Sequence, residues 1–222
     1  MDELSLAIEE GELFSLLGVN GAGKTTTIRM LTGLLPPDGG EAYLLGRSIS
    51  QARGFTAVSP QESAIAPNLT VAENLRLMAG LYSMDPSQTK ERIPALLSAF
   101  GLDEWAKNRA KTLSGGWQRR LSIAMALVTD PKILFLDEPT LGLDVLARRE
   151  LWAIVQSLKG RVTIVLTTHY MEEAEALSDR VGIMAKGTLR AVGTPAELTF
   201  KTGAKNFEDA FIRIAREGRP LL

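Results

Sequence analysis

The sequence predicts an α/β protein with a mainly parallel sheet, a few antiparallel strands and a helical insertion subdomain. Three observations carry this expectation. Short apolar runs bounded by turn residues alternate with segments of helical apolar spacing, the pattern of strands covered on both faces. Residues 71–129 keep helical spacing throughout and have few β-branched runs, so the middle third reads as mostly α. A glycine-rich run also separates the first predicted strand from the first predicted helix.

Taken in order, residues 12–17 read as a strand, 18–23 as the glycine-rich loop and 24–34 as a helix. The cluster Pro36-Pro37-Asp38-Gly39-Gly40 is a turn, with a second strand at 41–45. Residues 71–82, 91–100 and 117–129 are the helices of the middle third. Strands return at 133–136 and 162–166, and a hairpin is expected at 181–184 and 188–191 around Lys186-Gly187. In the tail, Phe207, Ala210, Phe211 and Ile214 form one apolar stripe, fit either to close the core or to dock a partner. The expected organisation is one domain, with a core lobe of about 1–64 and 130–195. Residues 65–129 form the insertion and 196–222 a helical tail.

Composition narrows the chemistry. The chain has 222 residues, 45% hydrophobic and 23% charged, so its size supports a core without disulfide or metal staples. Cys 0 and His 1 exclude thiolate zinc sites, iron–sulfur clusters and cysteine nucleophiles. A net charge of −1 gives no electrostatic case for binding nucleic acid. No run reaches the ~18 apolar residues of a membrane-spanning helix. Met1-Asp2-Glu3 lacks the basic and apolar regions of a secretory signal, and a cytosolic compartment is the expectation.

Gly18-Val19-Asn20-Gly21-Ala22-Gly23-Lys24-Thr25 fits G-x-x-x-x-G-K-[ST] at every fixed position, between a predicted strand and a predicted helix. A triphosphate needs many donors at short range, and backbone N–H groups supply them where no Cβ blocks the approach. The helix adds the positive end of its dipole. Lys24 is expected to bridge the β- and γ-phosphates, and the Thr25 hydroxyl to hold Mg²⁺. Next, the apolar run Ile133-Leu134-Phe135-Leu136 ends in Asp137-Glu138-Pro139. Paired carboxylates at the end of a buried strand are costly without a cation or a proton-transfer role. Strand alternation would point the two to opposite faces, with Asp137 on Mg²⁺ or its water shell and Glu138 polarising the attacking water. Finally, Leu113-Ser114-Gly115-Gly116 precedes a helix, with Ser114 as a natural N-cap. It reads either as ordinary capping or as a second anion-binding helix terminus.

These motifs, with Gly142-Leu143-Asp144 and Thr168-His169, resemble in their order the ATP-binding cassette (ABC) family, specifically the nucleotide-binding subunit of an ABC transporter. The resemblance runs over nearly the whole chain and implies a P-loop NTPase core that binds and hydrolyses ATP with Mg²⁺. Val58-Ser59-Pro60-Gln61 resembles the family's glutamine loop, and Gly193-Thr194-Pro195-Ala196-Glu197-Leu198 its C-terminal end. By resemblance, Gly18, Asn20, Gly21, Ala22, Gly23, Lys24, Thr25 and Thr26 bind the nucleotide, while Ser114, Gly115 and Gly116 contact the ATP of a partner subunit. Asp144 reaches across the dimer interface, Gln61 touches Mg²⁺ and the attacking water, and His169 contacts the γ-phosphate. The metal set implied is Thr25, Gln61 and Asp137; the catalytic set is Glu138, His169 and Gln61. The partners implied are a second copy or a related ATPase subunit and transmembrane permease subunits, placing the chain at the cytoplasmic face of the membrane.

Trp117 stands where the family's signature usually has glutamine. With Gln118-Arg119-Arg120, and with the tail Asn206-Phe207-Glu208-Asp209-Ala210-Phe211, it resembles the branch that exports drugs, ions or other compounds through separate membrane subunits. The family's adenine-stacking aromatic has no counterpart here: Phe14, within the first strand, is the one aromatic before the loop. The expectation is a chain that begins after that residue and after the family's first strand. The alternatives are a soluble ABC ATPase outside transport and a nucleotide-binding regulatory subunit. The absence of long coiled coils, zinc-binding inserts or a second cassette disfavours the first.

Overall fold

The computed structural model describes residues 4–216. A strand with no polar face must be covered on both sides, and all five residues of β1 (Leu13–Leu17) are buried. After β1 come helix α1 (Lys24–Leu31), the two-residue strands β2 (Tyr43–Leu44) and β3 (Arg47–Ser48), helix α2 (Ile49–Ala52) and strand β4 (Thr56–Ser59). Helices α3 (Val71–Leu81), α4 (Pro86–Ala99) and α5 (Gly115–Ala126) make up the helical middle. Then follow β5 (Ile133–Asp137), α6 (Val145–Leu158), β6 (Thr163–Thr168) and α7 (Met171–Leu177). The strands β7 (Arg180–Ala185) and β8 (Thr188–Gly193) and the helices α8 (Pro195–Thr202) and α9 (Phe207–Arg216) complete the described chain.

The main sheet has the order β4-β5-β6-β1-β7-β8, parallel except for the β7–β8 hairpin. Side-chain alternation divides its strands between two apolar clusters. Phe14, Leu16, Ile133, Phe135 and Val165 pack with Ile28 of α1 on one face. On the other, Leu13, Leu134, Leu136, Ile164 and Leu166 share a cluster with Val71, Leu96 and Leu121 of the helical middle. The helices of the middle third therefore share their core with the sheet.

Register decides where the site forms. Leu17 pairs with Thr168, Asp137 with Thr167, and Ser59 with Leu136. The carboxyl ends of β1, β4, β5 and β6 thus lie side by side, the position where parallel sheets place their ligands.

Several boundaries differ from the sequence reading, each for a local reason. Helix α1 stops at Leu31, not at 34: Gly33 takes φ +71° and the Leu34 N–H turns back to the Arg29 carbonyl at 2.8 Å. The strand expected at 41–45 shrinks to Tyr43–Leu44, because Leu45 (φ +54°) and Gly46 (φ +70°) form the hairpin turn to β3. Helix α4 starts at Pro86, where Asp85 accepts from the Ser87 N–H at 2.8 Å, rather than at 91. The expected hairpin turn does fall on Lys186 (φ +49°) and Gly187 (φ +77°).

In α9, Phe207, Ala210, Phe211 and Ile214 are all buried, packed with Val181, Ile183, Ala191 and Leu198. The stripe faces the protein's own core. Phe207 is 2% exposed, so Phe207→Ala should cost about 3–5 kcal/mol of unfolding free energy in a urea titration. A loss below ~1 kcal/mol would mean that the helix is dispensable to the fold.

Candidate functional site

The chain leaves β1 into the glycine-rich loop, and Gly18 shows why its first glycine is required. A Cβ there would lie 2.5 Å from the Met184 carbonyl oxygen, so Gly18 is dictated by packing against β7. That differs from the role expected of it, since the cavity above is lined by residues 20–26 and not by Gly18. Gly21 (φ +79°) has nothing within 4 Å of the position of a Cβ, so its backbone stands open to the cavity. Gly23 (φ +104°) caps α1 and turns the chain into the helix.

The cavity holds about 340 Å³ and is completed by Gln61, Glu138, Leu141 and His169. Glu138 sits at its centre of charge. Its Oε1 lies 3.1 Å from Lys24 Nζ and its Oε2 2.5 Å from His169 Nδ1. Lys24 is 5% and Glu138 8% exposed, so the pair is held in low dielectric, with Lys24 also donating to the Gly18 carbonyl at 2.7 Å. Strand alternation does not explain this placement. β5 ends at Asp137, and Glu138 turns away at φ +47° with its N–H bonded to the Thr167 carbonyl at 3.1 Å and hydroxyl at 3.0 Å. A non-glycine residue in that region costs about 1–3 kcal/mol, offset here by this hydrogen bonding.

Asp137 lies just beneath, 5% exposed. Its Oδ1 accepts from the Thr25 hydroxyl at 3.0 Å and from the Thr167 hydroxyl at 2.5 Å. Thr25 and Asp137, two of the three residues expected at a metal, therefore meet through hard oxygen atoms, a donor set that fits Mg²⁺ bound partly through phosphates, and the third, Gln61, lines the cavity.

The other expected residues lie apart from this cavity. Ser114 occupies the N-cap of α5 but makes no capping hydrogen bond with its side chain. Gln118 Nε2 donates instead to the Leu113 carbonyl at 3.0 Å. A Cβ on Gly116 would come 3.1 Å from the Ala147 side chain, so the Ser114-Gly115-Gly116 terminus abuts the start of α6. Asp144 caps that same helix, accepting from the Ala147 N–H at 2.9 Å. Both groups sit at helix N-termini beside each other, away from the residues lining the cavity around Lys24.

A model of the ABC transporter family matches residues 1–141. The chain belongs to the ABC transporter family. It is 46% identical over 206 residues to the phospholipid-transporting ATPase ABCA3 of Homo sapiens, covering 91% of this chain but 12% of that protein. ABC transporter A family member 2 of Arabidopsis thaliana is 47% identical, with 90% of this chain and 21% of that protein covered. The chain thus spans only a small part of these two relatives. The linearmycin resistance ATP-binding protein LnrL of Bacillus subtilis (strain 168) is 39% identical over 97% of this chain and 70% of its own length. Among solved structures, an ATP-binding subunit of an ABC transporter superposes with a TM-score of 0.83 at 29% identity, over 95% of this chain and 91% of that one. The cbiO1 protein of Clostridium perfringens, part of the ABC transporter complex cbiONQ, gives 0.80 at 26% identity, over 90% and 83%. The α/β architecture is thus that of ABC ATP-binding subunits.

The residues beneath this ABC site were harder to foresee. Thr167 supports both Asp137 and Glu138, and a threonine inside a β-branched strand gives no sign of that. Glu173 of α7 is 1% exposed, with its Oε1 accepting from the Trp152 indole at 3.0 Å. Burial raises its carboxyl above the ordinary 4.5, and the charge of Glu138 pushes the same way. The folded chain then keeps a proton that the unfolded chain releases above about pH 4.5, so Glu173 makes stability fall as pH rises from there. Glu173→Gln should flatten this slope, giving a stability gain over the parent near pH 7 that vanishes near about pH 4. Urea titrations across that range test it; parallel profiles would mean that Glu173 is ionised in the folded chain.

Proposed function

We propose that this chain is the ATP-binding and ATP-hydrolysing subunit of an ABC transporter, acting as a dimer on separate transmembrane subunits to drive export. The observation that carries hydrolysis is the Glu138 carboxylate, set between Lys24 and His169 over the phosphate loop. The loop amides of residues 20–26 and the Lys24 ammonium hold the triphosphate, since only they combine donors with positive charge in the cavity. Thr25 and Asp137, with Gln61 of the same cavity lining, would hold Mg²⁺, which would neutralise charge on the phosphates. Glu138 takes a proton from water as the water oxygen bonds to the γ-phosphorus and the bond to the ADP oxygen breaks. His169 gives Nδ1 to Glu138, which fixes the ring and leaves Nε2 for the γ-phosphate.

Dimerisation rests on the position of Ser114, Gly115 and Gly116. They present a helix N-terminus with an uncommitted serine hydroxyl, yet they do not line their own chain's cavity. A second copy, or a related subunit, would use them on its ATP, with Asp144 of α6 beside them. Closure on ATP and opening after hydrolysis supply the mechanical step. Export through separate membrane subunits at the cytoplasmic face is favoured by LnrL, a resistance ATP-binding protein alike over nearly this whole chain. The cbiO1 protein, part of a transporter complex, supports a partner in the membrane.

Glu138→Gln should lower turnover about 10²–10⁴-fold while ATP still binds, because it removes the base and leaves the phosphate donors in place. Near-normal ATPase activity in the purified variant would remove Glu138 from the mechanism.

Mixing tests the shared site. Lys24→Ala and Ser114→Arg homodimers should each be inactive, having lost one half of both sites. Random exchange makes half the dimers mixed, each with one intact site, so activity should return to at most about a quarter of the parent's. No recovery, with exchange shown independently and one site known to suffice, would place Ser114 in its own chain's chemistry or outside it.

A further inference from the structure

We propose that Arg119 is a positioning residue for hydrolysis, one guanidinium that ties the Gln61 loop and the turn carrying Glu138 to the helix beginning at Ser114. The inference rests on the ATPase reading above and goes beyond it, since the run Gln118-Arg119-Arg120 entered only as a mark of resemblance to one branch and gave Arg119 no role in hydrolysis.

Arg119 lies on α5 and is only 4% exposed. It bonds to three backbone carbonyls from two separate segments. Nε donates to the Pro139 carbonyl at 2.9 Å, Nη2 to the Asp137 carbonyl at 2.9 Å, and Nη1 to the Pro60 carbonyl. Two of these acceptors flank Glu138, so the fork holds the peptides on either side of the residue at φ +47°. The third immediately precedes Gln61. These carbonyls lie at or just past the carboxyl ends of β4 and β5, where a parallel sheet leaves backbone groups without ladder partners.

Among the described residues, no carboxylate forms an ion pair with this cation. Burial, the dominant cause, lowers its pKa to about 10, which still leaves the charge in place at neutral pH; the charges of Asp137 and Glu173 oppose the shift. Desolvating a guanidinium for backbone oxygens alone is costly unless those acceptors are fixed, and here each of the three nitrogens of the planar fork has one. Lysine keeps the charge but concentrates its donors on one nitrogen, so it cannot span the same three carbonyls. The distance between Gln61 and Glu138 is therefore set by the arginine fork and not by charge alone. One turn along α5, the Ser122 hydroxyl meets that of Ser59 at 3.1 Å, a second tie between α5 and β4 that does not touch the Glu138 turn.

The test compares the parent chain with Arg119→Lys, Arg119→Met and Ser122→Ala, measuring Mg²⁺-dependent ATP turnover and, separately, ATP binding by equilibrium titration. Misplacing catalytic groups by about 1 Å costs on the order of 10²-fold, so both Arg119 variants should lose ~10- to 100-fold in kcat. KM and the ATP dissociation constant should stay within about threefold, because the loop at 20–26 is untouched. Ser122→Ala should lower the unfolding midpoint yet keep kcat within about twofold. The proposal is overturned if Arg119→Lys keeps the parent kcat. It is equally overturned if an Arg119 variant loses ATP binding along with turnover, which would make the residue a fold support, or if Ser122→Ala matches the kcat loss. Absence of turnover in the parent chain would refute the hydrolysis reading itself, and that result appears before any variant is compared.

Discussion

Parallel pairing in register is the constraint from which the site follows. Because Leu17 sits opposite Thr168 and Asp137 opposite Thr167, the segments leaving β1, β5 and β6 start at one level of the sheet. The ammonium of Lys24, the carboxylate of Glu138 and the imidazole of His169 then need only short connections to meet. A one-residue slip would turn Asp137 toward the opposite face and separate it from Thr25. The register is in turn held by burial on both faces, since each of these strands sends alternate residues into two different apolar clusters.

Polar groups buried under the sheet's carboxyl edge form a second layer of control. Asp137, Thr167 and Arg119 are each nearly inaccessible; Thr167 and Arg119 bond the turn that carries Glu138, and the Asp137 carboxylate ties Thr167 to Thr25. Such groups are expensive to bury and stabilise only when their partners are fixed, so they transmit the position of one segment to the next. At the opposite end of β1, Arg180 grips the Glu12 carboxylate through Nε and Nη2, at 2.7 and 2.9 Å, and aligns the entry of β1 with that of β7. The sheet is thus pinned at both ends by charge-assisted bonds while its middle is apolar.

The phosphate loop, the acidic pair and the helix start at Ser114 were all legible in the sequence, because each is a local pattern whose chemistry requires particular neighbours along the chain. Strand β4 was not. Its residues, Thr56-Ala57-Val58-Ser59, are too few and too mixed to show a period, and they form a strand only because β5 offers an edge. Helices α6 and α7 were also passed over, although Asp144 and its bond to Ala147 mark the start of α6. Only Leu151 and Val155 of α6 are buried, too few to show a period, and α7 is a mere two turns long. Gly18 was expected to bind phosphate through its backbone, and its close packing against the Met184 carbonyl, a contact distant in sequence, was not legible.

By itself the sequence determined the residue types of the site and their order, for a motif such as Gly18 to Thr25 is written entirely in adjacent positions. It also determined the α/β class, which needs only the periods of successive segments. Which residues meet was decided by the tertiary structure alone. Glu138 reaches Lys24 and His169 because a backbone turn at φ +47°, with its N–H donating to Thr167, rotates it there, against the alternation its strand would impose. Arg119 finds three carbonyls because β4 and β5 end together. Those contacts join residues far apart in the chain, and their free energy exists only once the sheet has set the distance between them.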